Sequence, residues 1–189
     1  MAHADTVSRR DPSELEVVVG PMRRRHLRGV LRIEQQVYPR PWSLGLFNSE
    51  LGFGPSRVYV TARVSSAVVG YGGLMLMADD GHITTLAVDP RWHRHKIGTR
   101  LLLTLARAAV DREAKHLTLE VRMANEPAQR LYQAFGFAPA GVRKGYYVET
   151  NEDALIMWAN DIDTEEYGER LDALDRGLPG RTIHERLER

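Results

Sequence analysis

The spacing of apolar residues divides the chain into strands and helices. Glu16 to Gly20, E-V-V-V-G, is dense in β-branched residues and runs into Pro21, the pattern of a buried strand. From Met22 to Tyr38, apolar residues at Leu27, Val30, Leu31, Ile33 and Val37 keep helical spacing, with Arg23, Arg24, Arg25, Arg28 and Arg32 on the polar side. That Arg cluster is either a solvated face or a contact for a polyanion or ribosome. Two prolines in Y-P-R-P-W-S end the helix, and Ser43 caps a second one that runs to about Leu51. The loop between them presents Tyr38 and Trp42, as a substrate wall or as packed aromatics.

Arg57 to Val64 and Val68 to Met77 read as a hairpin, and Gly70, Gly72 and Gly73 invite a bulge or close backbone approach. Asp79-Asp80-Gly81 turns into a strand from His82 to Val88. A basic loop with a single glycine follows, then a helix with Ile97, Leu101, Leu105 and Ala108 on one stripe and Arg100, Thr104, Arg107 and Asp111 opposite. His116 to Met123 alternates, which places Glu120 on the face opposite Leu117, Leu119 and Val121. Strand, helix and strand in this order imply a parallel pair with a right-handed crossover. Asn125 to Phe135 is a helix with an N-cap Asn and Pro127 in its first turn, stopped by Gly136. Residues 137–148 and 154–159 form a last pair of strands joined near Glu149 to Asp153.

The stretch from Thr84 to Leu105 organises the rest, because a strand that hands a cationic loop to a helix N-terminus offers N–H groups, a dipole and side-chain charge to one anion. The chemistry points to a pyrophosphate cradle. His93 and His95 lie in that loop and His82 and His116 on strands, with no carboxylate or third His at ligand spacing, so no metal site is expected.

Composition narrows the class. The 189 residues suit one domain with appendages, and a net charge of +1 creates no global field that demands nucleic acid or an anionic membrane. The absence of cysteine removes disulfides, thiolate nucleophiles and Cys-ligated zinc. No apolar run reaches the length of a bilayer span, and the expected location is the cytoplasm. Residues 1–14 are polar and patternless, the expected mark of a disordered leader. Residues 161–189 carry nine acidic and five Arg residues, a net of −4, with Tyr167, Leu171, Leu174 and Leu178 at helical spacing before Pro179-Gly180. This acidic extension is expected to form a short amphipathic helix followed by a frayed end, the alternative being a bare disordered tail.

The order L-A-V-D-P, basic loop, L-E-V-R-M-A-N, R-L-Y-Q-A-F-G-F and R-K-G-Y-Y with E-D-A-L-I-M resembles the GNAT acetyltransferases, and within them the RimI group, over residues 15–160. That resemblance implies a single α/β domain with a mixed, mainly antiparallel sheet splayed at a central parallel strand pair and helices on both faces. It implies acetyl-CoA as donor and a protein N-terminal amine as acceptor, with N-terminal alanine of a small-subunit ribosomal protein as the group's substrate. By the same resemblance the backbone of Leu86, Ala87 and Val88 holds the pantetheine arm. Arg94, His95, Lys96, Ile97, Gly98 and Thr99 hold the pyrophosphate, and Asn125 contacts the coenzyme besides capping its helix. One position departs from the family loop, which has glycine where this chain has Lys96; the lysine either crowds the pyrophosphate or adds an ammonium charge to the site.

Glu120 matches the family's general base, although a strand Glu is also readily a salt-bridged residue, with Arg122 or Arg143 in reach. Tyr132 matches the general acid that delivers a proton to the departing thiolate, or only hydrogen-bonds the sulfur, and it lies on the coenzyme side. Tyr146 and Tyr147 match a pair that lines the peptide groove, with Tyr38 and Trp42 opposite. With no covalent nucleophile in evidence, transfer is expected to be direct, in one ternary complex, by a monomer or homodimer that binds neither membrane nor nucleic acid. The rival readings are the same fold acting on a lysine or small-molecule amine, and a non-catalytic acyl-CoA sensor.

Overall fold

A computed structural model describes residues 12–187. Along the chain lie β1 (Glu16–Pro21), α1 (Leu27–Val37), α2 (Leu44–Glu50), β2 (Arg57–Val64), β3 (Ala67–Met77), β4 (Asp80–Val88), α3 (Ile97–Val110), β5 (His116–Arg122), α4 (Glu126–Ala134), β6 (Ala138–Tyr147), β7 (Glu152–Ala159), α5 (Glu165–Arg176) and β8 (Arg181–His184). The strands form one sheet in the order β6-β7-β5-β4-β3-β2-β1-β8. Its inner pairings are antiparallel except for β4 with β5. The expected mixed, mainly antiparallel sheet is therefore present.

Two apolar layers sandwich it. On one face Leu27, Val30 and Ile33 of α1 and Phe47 of α2 pack on Tyr59, Val68, Tyr71 and Ala87. On the other, the Ile97, Leu101 and Leu105 stripe of α3 meets Leu117, Leu119 and Val121 of β5, joined by Tyr132 of α4 and by Tyr167 and Leu171 of α5. Alternation along β5 thus sends its apolar row to the α3 face and Glu120 to the α1 face, as the sequence pattern predicts.

The central parallel pair is short. β4 and β5 are in register only from Asp80↔His116 to His82↔Thr118. Beyond that point β4 stays with β3 and is bulged, since Gly73↔Thr85 is followed by Leu74↔Ile83 and leaves Thr84 as the extra residue. β5 stays with β7 through Arg122↔Ala154. The two strands part, and the ends of β4 and β5 line an open wedge.

Three local readings change. The Met22 to Tyr38 helix begins only at Leu27, after a single 3₁₀ turn over Arg24–His26. Arg23 is extended and its N–H donates to His26 Nδ1 at 3.1 Å, a side-chain cap that starts the turn at Arg24. Of the expected disordered leader, residues 1–11 lie outside the described residues, while Pro12–Glu14 form a 3₁₀ turn. The acidic extension forms the expected helix α5, capped by Thr164, but its end is not frayed: Arg181–His184 pairs in parallel with β1 as β8.

That strand has a partner ready, because the β1 edge offers an unpaired row of backbone groups. The Arg181 N–H donates to the Leu15 carbonyl at 2.8 Å and the Glu185 N–H to Val19 at 2.8 Å. The extension also changes the meaning of α3's polar side. Arg107 pairs with Asp172 at 3.0 Å and Asp175 at 2.8 Å. Arg100, expected on the solvent side, is instead buried, and its guanidinium donates to Thr182 Oγ1 and the Pro179 carbonyl. Among the described residues no helix is long and apolar enough to cross a membrane.

Candidate active site

The wedge between β4 and β5 brings together most of the residues singled out from the sequence. On its β4 side Leu86, Ala87 and Val88 are paired with Gly72, Tyr71 and Gly70 of β3, whereas their other edge has lost β5. That edge can hydrogen-bond an extended ligand arm, as a sheet edge does for any strand-like partner. One group there is already used: the Leu86 carbonyl accepts from the Tyr38 hydroxyl at 3.3 Å.

The loop after β4 is anchored from beneath. Asp89, fully buried, accepts from the Arg91 N–H at 3.1 Å, from the Arg91 guanidinium at 3.0 and 2.7 Å, and from Arg32 of α1 at 3.4 Å. Burial alone pushes its carboxyl up, but the Arg91 hydrogen bonds and charge, helped by Arg32, hold it below the usual carboxylate range. Arg32 is thus tied to the root of the loop although its side chain stays 45% exposed, and Arg23, Arg24, Arg25 and Arg28 are exposed as well. With its root fixed, the loop carries Arg94 and Lys96 to the first turn of α3, where the N–H groups of Ile97, Gly98 and Thr99 have no helical partner. His95 packs against Trp92 at 5.5 Å. At Gly98 a Cβ would lie 3.3 Å from Leu131 and 3.8 Å from Val88, so glycine lets α3 approach both α4 and β4.

Lys96 sits in the left-handed region, at φ 58° and ψ 21°. A glycine adopts that conformation freely, whereas a side chain there costs about 1–2 kcal/mol. Lys96→Gly is expected to stabilise the fold by up to about 1 kcal/mol, the strain relieved being partly offset by the freer unfolded chain. Thermal unfolding without coenzyme should show a midpoint roughly 2–4 °C higher. A midpoint lower than that of the parent chain would mean that the lysine holds the turn by contacts that outweigh its strain.

Glu120 lies on the opposite wall of the wedge, its side chain 10% exposed. Oε1 is 3.1 Å from Arg143 of β6 and Oε2 is 3.3 Å from His82 Nε2 of β4. Of the two arginines in reach, Arg143 is the partner; Arg122 is taken by Glu149 at 3.4 Å and by Glu152. Arg122 also lies over the Tyr147 ring at 3.9 Å, and Tyr147 meets Tyr146 edge-on at 5.1 Å. The guanidinium thus ties the β6–β7 hairpin, which carries both tyrosines, to the end of β5.

Tyr38, Tyr132 and Tyr147 converge on the wedge from three directions. Burial pushes Tyr132 well above the usual phenol range, and the nearby Tyr38 and Tyr147 add to that. Tyr147 is pushed up to about 12, by burial first, with Arg122 opposing. These phenols remain protonated donors at neutral pH. Tyr132 belongs to the α3-side core while Glu120 faces the α1 side, so the wedge separates a buried hydroxyl from a carboxylate. Tyr146 is 44% exposed and open to a ligand, with Arg143 5.6 Å from its ring. Asn125 spends its side-chain oxygen on the N-cap, accepting from Ala128 N at 3.2 Å, and keeps its amide donors.

The loop 38–43 is held by a residue that periodicity passes over. Glu34, 1% exposed, accepts from Trp42 N at 2.7 Å and from the Tyr71 hydroxyl. Trp42 packs on Phe47 at 5.3 Å and is half-buried, while the Tyr38 hydroxyl reaches the wedge. Burial raises the Glu34 pKa above its ordinary 4.5, against the opposing bonds from Tyr71 and Trp42. A raised folded pKa means that stability from this group is complete below pH 4.5 and is lost as pH rises through the folded value. Glu34→Gln keeps an acceptor for Trp42 and removes the titration, so its stability should fall less than that of the parent chain as pH is raised from 4.5 towards neutrality. Denaturant unfolding over that range checks this; parallel curves for the two proteins would refute it.

Comparison with known proteins agrees with this geometry. Residues 27–137 match the acetyltransferase (GNAT) family. A putative [ribosomal protein bS18]-alanine N-acetyltransferase of Bacillus subtilis is 36% identical over 143 residues, 76% of this chain and 95% of that protein. The N-alpha-acetyltransferase RimI of Mycobacterium tuberculosis is 33% identical over 150 residues, 75% of this chain and 90% of that protein. Among solved structures, the ribosomal-protein-S18-alanine N-acetyltransferase of Escherichia coli superposes with a TM-score of 0.70 at 28% identity, covering 77% of this chain and 94% of that one.

Proposed function

For a chain that belongs to the acetyltransferase (GNAT) family and is an acyltransferase, we propose the transfer of an acetyl group from acetyl-CoA directly to a protein N-terminal amine, the N-terminal alanine of ribosomal protein bS18. One observation carries this reading: a carboxylate and a buried phenol stand on opposite walls of the wedge where β4 and β5 part, with a tyrosine pair at its mouth. Acetyl-CoA supplies the activated acyl thioester. Leu86 to Val88 hold its arm at the free edge of β4, and Arg94 to Thr99, with the α3 dipole, hold its pyrophosphate. The fit is supported by the exposed cations of the loop and the close approach at Gly98.

Glu120 removes the proton of the incoming amine. An α-amine with a pKa of about 7.7–8.0 is about one-tenth neutral at pH 7, against well under one part in a thousand for a lysine amine at about 10.4, so one carboxylate suffices for an N-terminus. Tyr132 stands as a protonated donor to the thiolate as the C–S bond breaks; burial raises its pKa and makes release of the proton uphill, so the transfer comes late, once charge has built on sulfur. Tyr146, Tyr147 and Tyr38 hold the substrate backbone. The open groove mouth, with Tyr146 exposed, favours an extended chain end over a compact small-molecule amine.

A peptide panel with acetyl-CoA tests the reading. Free Ala-, Ser- and Met-initiated peptides should be acetylated and N-blocked lysine peptides should not. Transfer confined to the blocked lysine peptides overturns it, and tight coenzyme binding without any transfer makes the protein an acyl-CoA sensor.

A further inference from the structure

We propose that an arginine ridge along α1 docks the protein on the phosphate backbone of RNA, so that a ribosomal protein carried by that RNA offers its N-terminus to the groove. The proposal rests on a ribosomal protein being the acceptor. Residues 22–43 hold Arg23, Arg24, Arg25, Arg28, Arg32 and Arg40 and a single carboxylate, Glu34, which is buried. The exposed side of this segment therefore carries no negative charge. Arg28 and Arg32 lie one turn apart on α1, Arg24 and Arg25 precede them in the 3₁₀ turn, and the exposed Gln35 and Gln36 continue the stripe. Arg32 shares Asp89 with Arg91, and Glu185, whose carboxylate Arg23 and Arg25 act on, is already paired with Arg63 at 2.6 Å. Among the described residues Arg24 and Arg28 pair with no carboxylate.

The chemistry of the ridge selects its partner. Every charge on it is a guanidinium, whose forked donors and weak hydration suit a phosphate better than an ammonium does. An anionic membrane fits less well, because Leu27, Val30 and Ile33 of α1 are packed into the sheet and leave no apolar face to enter lipid. An acidic protein surface fits less well too, since no large apolar side chain is exposed between Met22 and Gln36 to anchor such an interface. The net charge of +1 hides the ridge, because it sums these arginines with the acidic extension, whose α5 packs on the opposite face of the sheet. A phosphate backbone meets the local field instead. The α1 face is also the one on which Glu120 and the Tyr38 hydroxyl stand at the wedge, so docking turns the groove towards the RNA. From Arg28 to Tyr38 the helix rises ~15 Å, a span that about five residues of extended substrate tail cover.

The test measures binding of a fluorescein-labelled RNA hairpin across a salt series, for the parent chain and for Arg24→Gln combined with Arg28→Gln. Acetylation of a free bS18 N-terminal peptide and of small ribosomal subunits carrying unacetylated bS18 is followed alongside. The parent chain should bind the hairpin with an affinity that falls with a log–log slope of about −3 as salt rises, the loss expected for roughly four phosphate contacts. The double variant should bind at least about tenfold more weakly at ~0.15 M salt, with a slope flatter by about two. Its kcat and KM on the free peptide should stay within about twofold, while its rate on subunits falls by about fivefold or more. Arg24→Lys with Arg28→Lys keeps the charge and should keep the slope. If the glutamine pair lowers the thermal transition, Arg28→Gln alone replaces it, with a slope change of about one. Equal hairpin binding by parent and variant, equal rates on subunits, or tighter binding of polyglutamate or phosphatidylserine vesicles than of RNA overturns the docking and leaves the peptide reaction intact. A parent chain that acetylates blocked lysine peptides and not the bS18 peptide overturns the acceptor, and with it the role given to the ridge.

Discussion

Glu120→Gln is expected to lower kcat by roughly a hundredfold or more, the usual contribution of a positioned base, while the KM for acetyl-CoA changes little. In free energy this is about 2.7 kcal/mol of lost transition-state stabilisation. The effect should fall on turnover because Glu120 stands on the β5 wall, whereas the cationic loop proposed to hold the coenzyme hangs from β4. Stability should hardly move. Arg143 is 55% exposed and is rehydrated when it loses its carboxylate, so the ion pair contributes at most about 1 kcal/mol. Steady-state kinetics together with a thermal melt separate the two effects. A kcat near that of the parent chain would identify Glu120 as a salt-bridged strand residue and nothing more.

Ending the chain after Asn160 is expected to cost about 5 kcal/mol or more and to lower the unfolding midpoint by roughly 10–20 °C. Ile162, Tyr167 and Leu171 are all buried, and each such side chain contributes about 1.5–3 kcal/mol by leaving water. The loss removes much of the ~5–15 kcal/mol that holds a typical domain together. It would also bare the β1 edge and strip Arg100 of Thr182 and Pro179. Leu171→Ala probes the same docking by a single change, at a cost of about 2–5 kcal/mol. An unchanged midpoint in the truncated chain would reduce the extension to an ornament.

The parts of this architecture that local pattern governs are legible in the residues. Ser43 and Asn125 cap the helices that they announce, since a cap is a bond between near neighbours. Glu120 falls on the predicted face because a strand has a period of two. Resemblance supplied the roles of Tyr132 and of the loop, and the structure adds why Lys96 is unusual: the position has a positive φ. What stayed hidden depends on contacts between distant segments. Arg181–His184 is too short and polar to read as a strand until β1 offers it an edge. Glu34 looks like one more polar helix position until Tyr71 and Trp42 converge on it. His82 stands on β4 on the face opposite the α3-facing Ile83, and nothing in the period of its own strand says that Glu120 of β5 lies 3.3 Å away.

The pairing of β8 with β1 sets a schedule for folding during synthesis. Among the described strands the first to be made is completed by the last, and the buried Arg100 of α3 waits for the same segment. A nascent chain can assemble β2 to β7 while the β1 edge is still open, and only emergence of Arg181–His184 closes it. Affinity for the coenzyme proposed to lie at the start of α3 should therefore appear only once β8 has been made, and not stepwise as the central strands emerge.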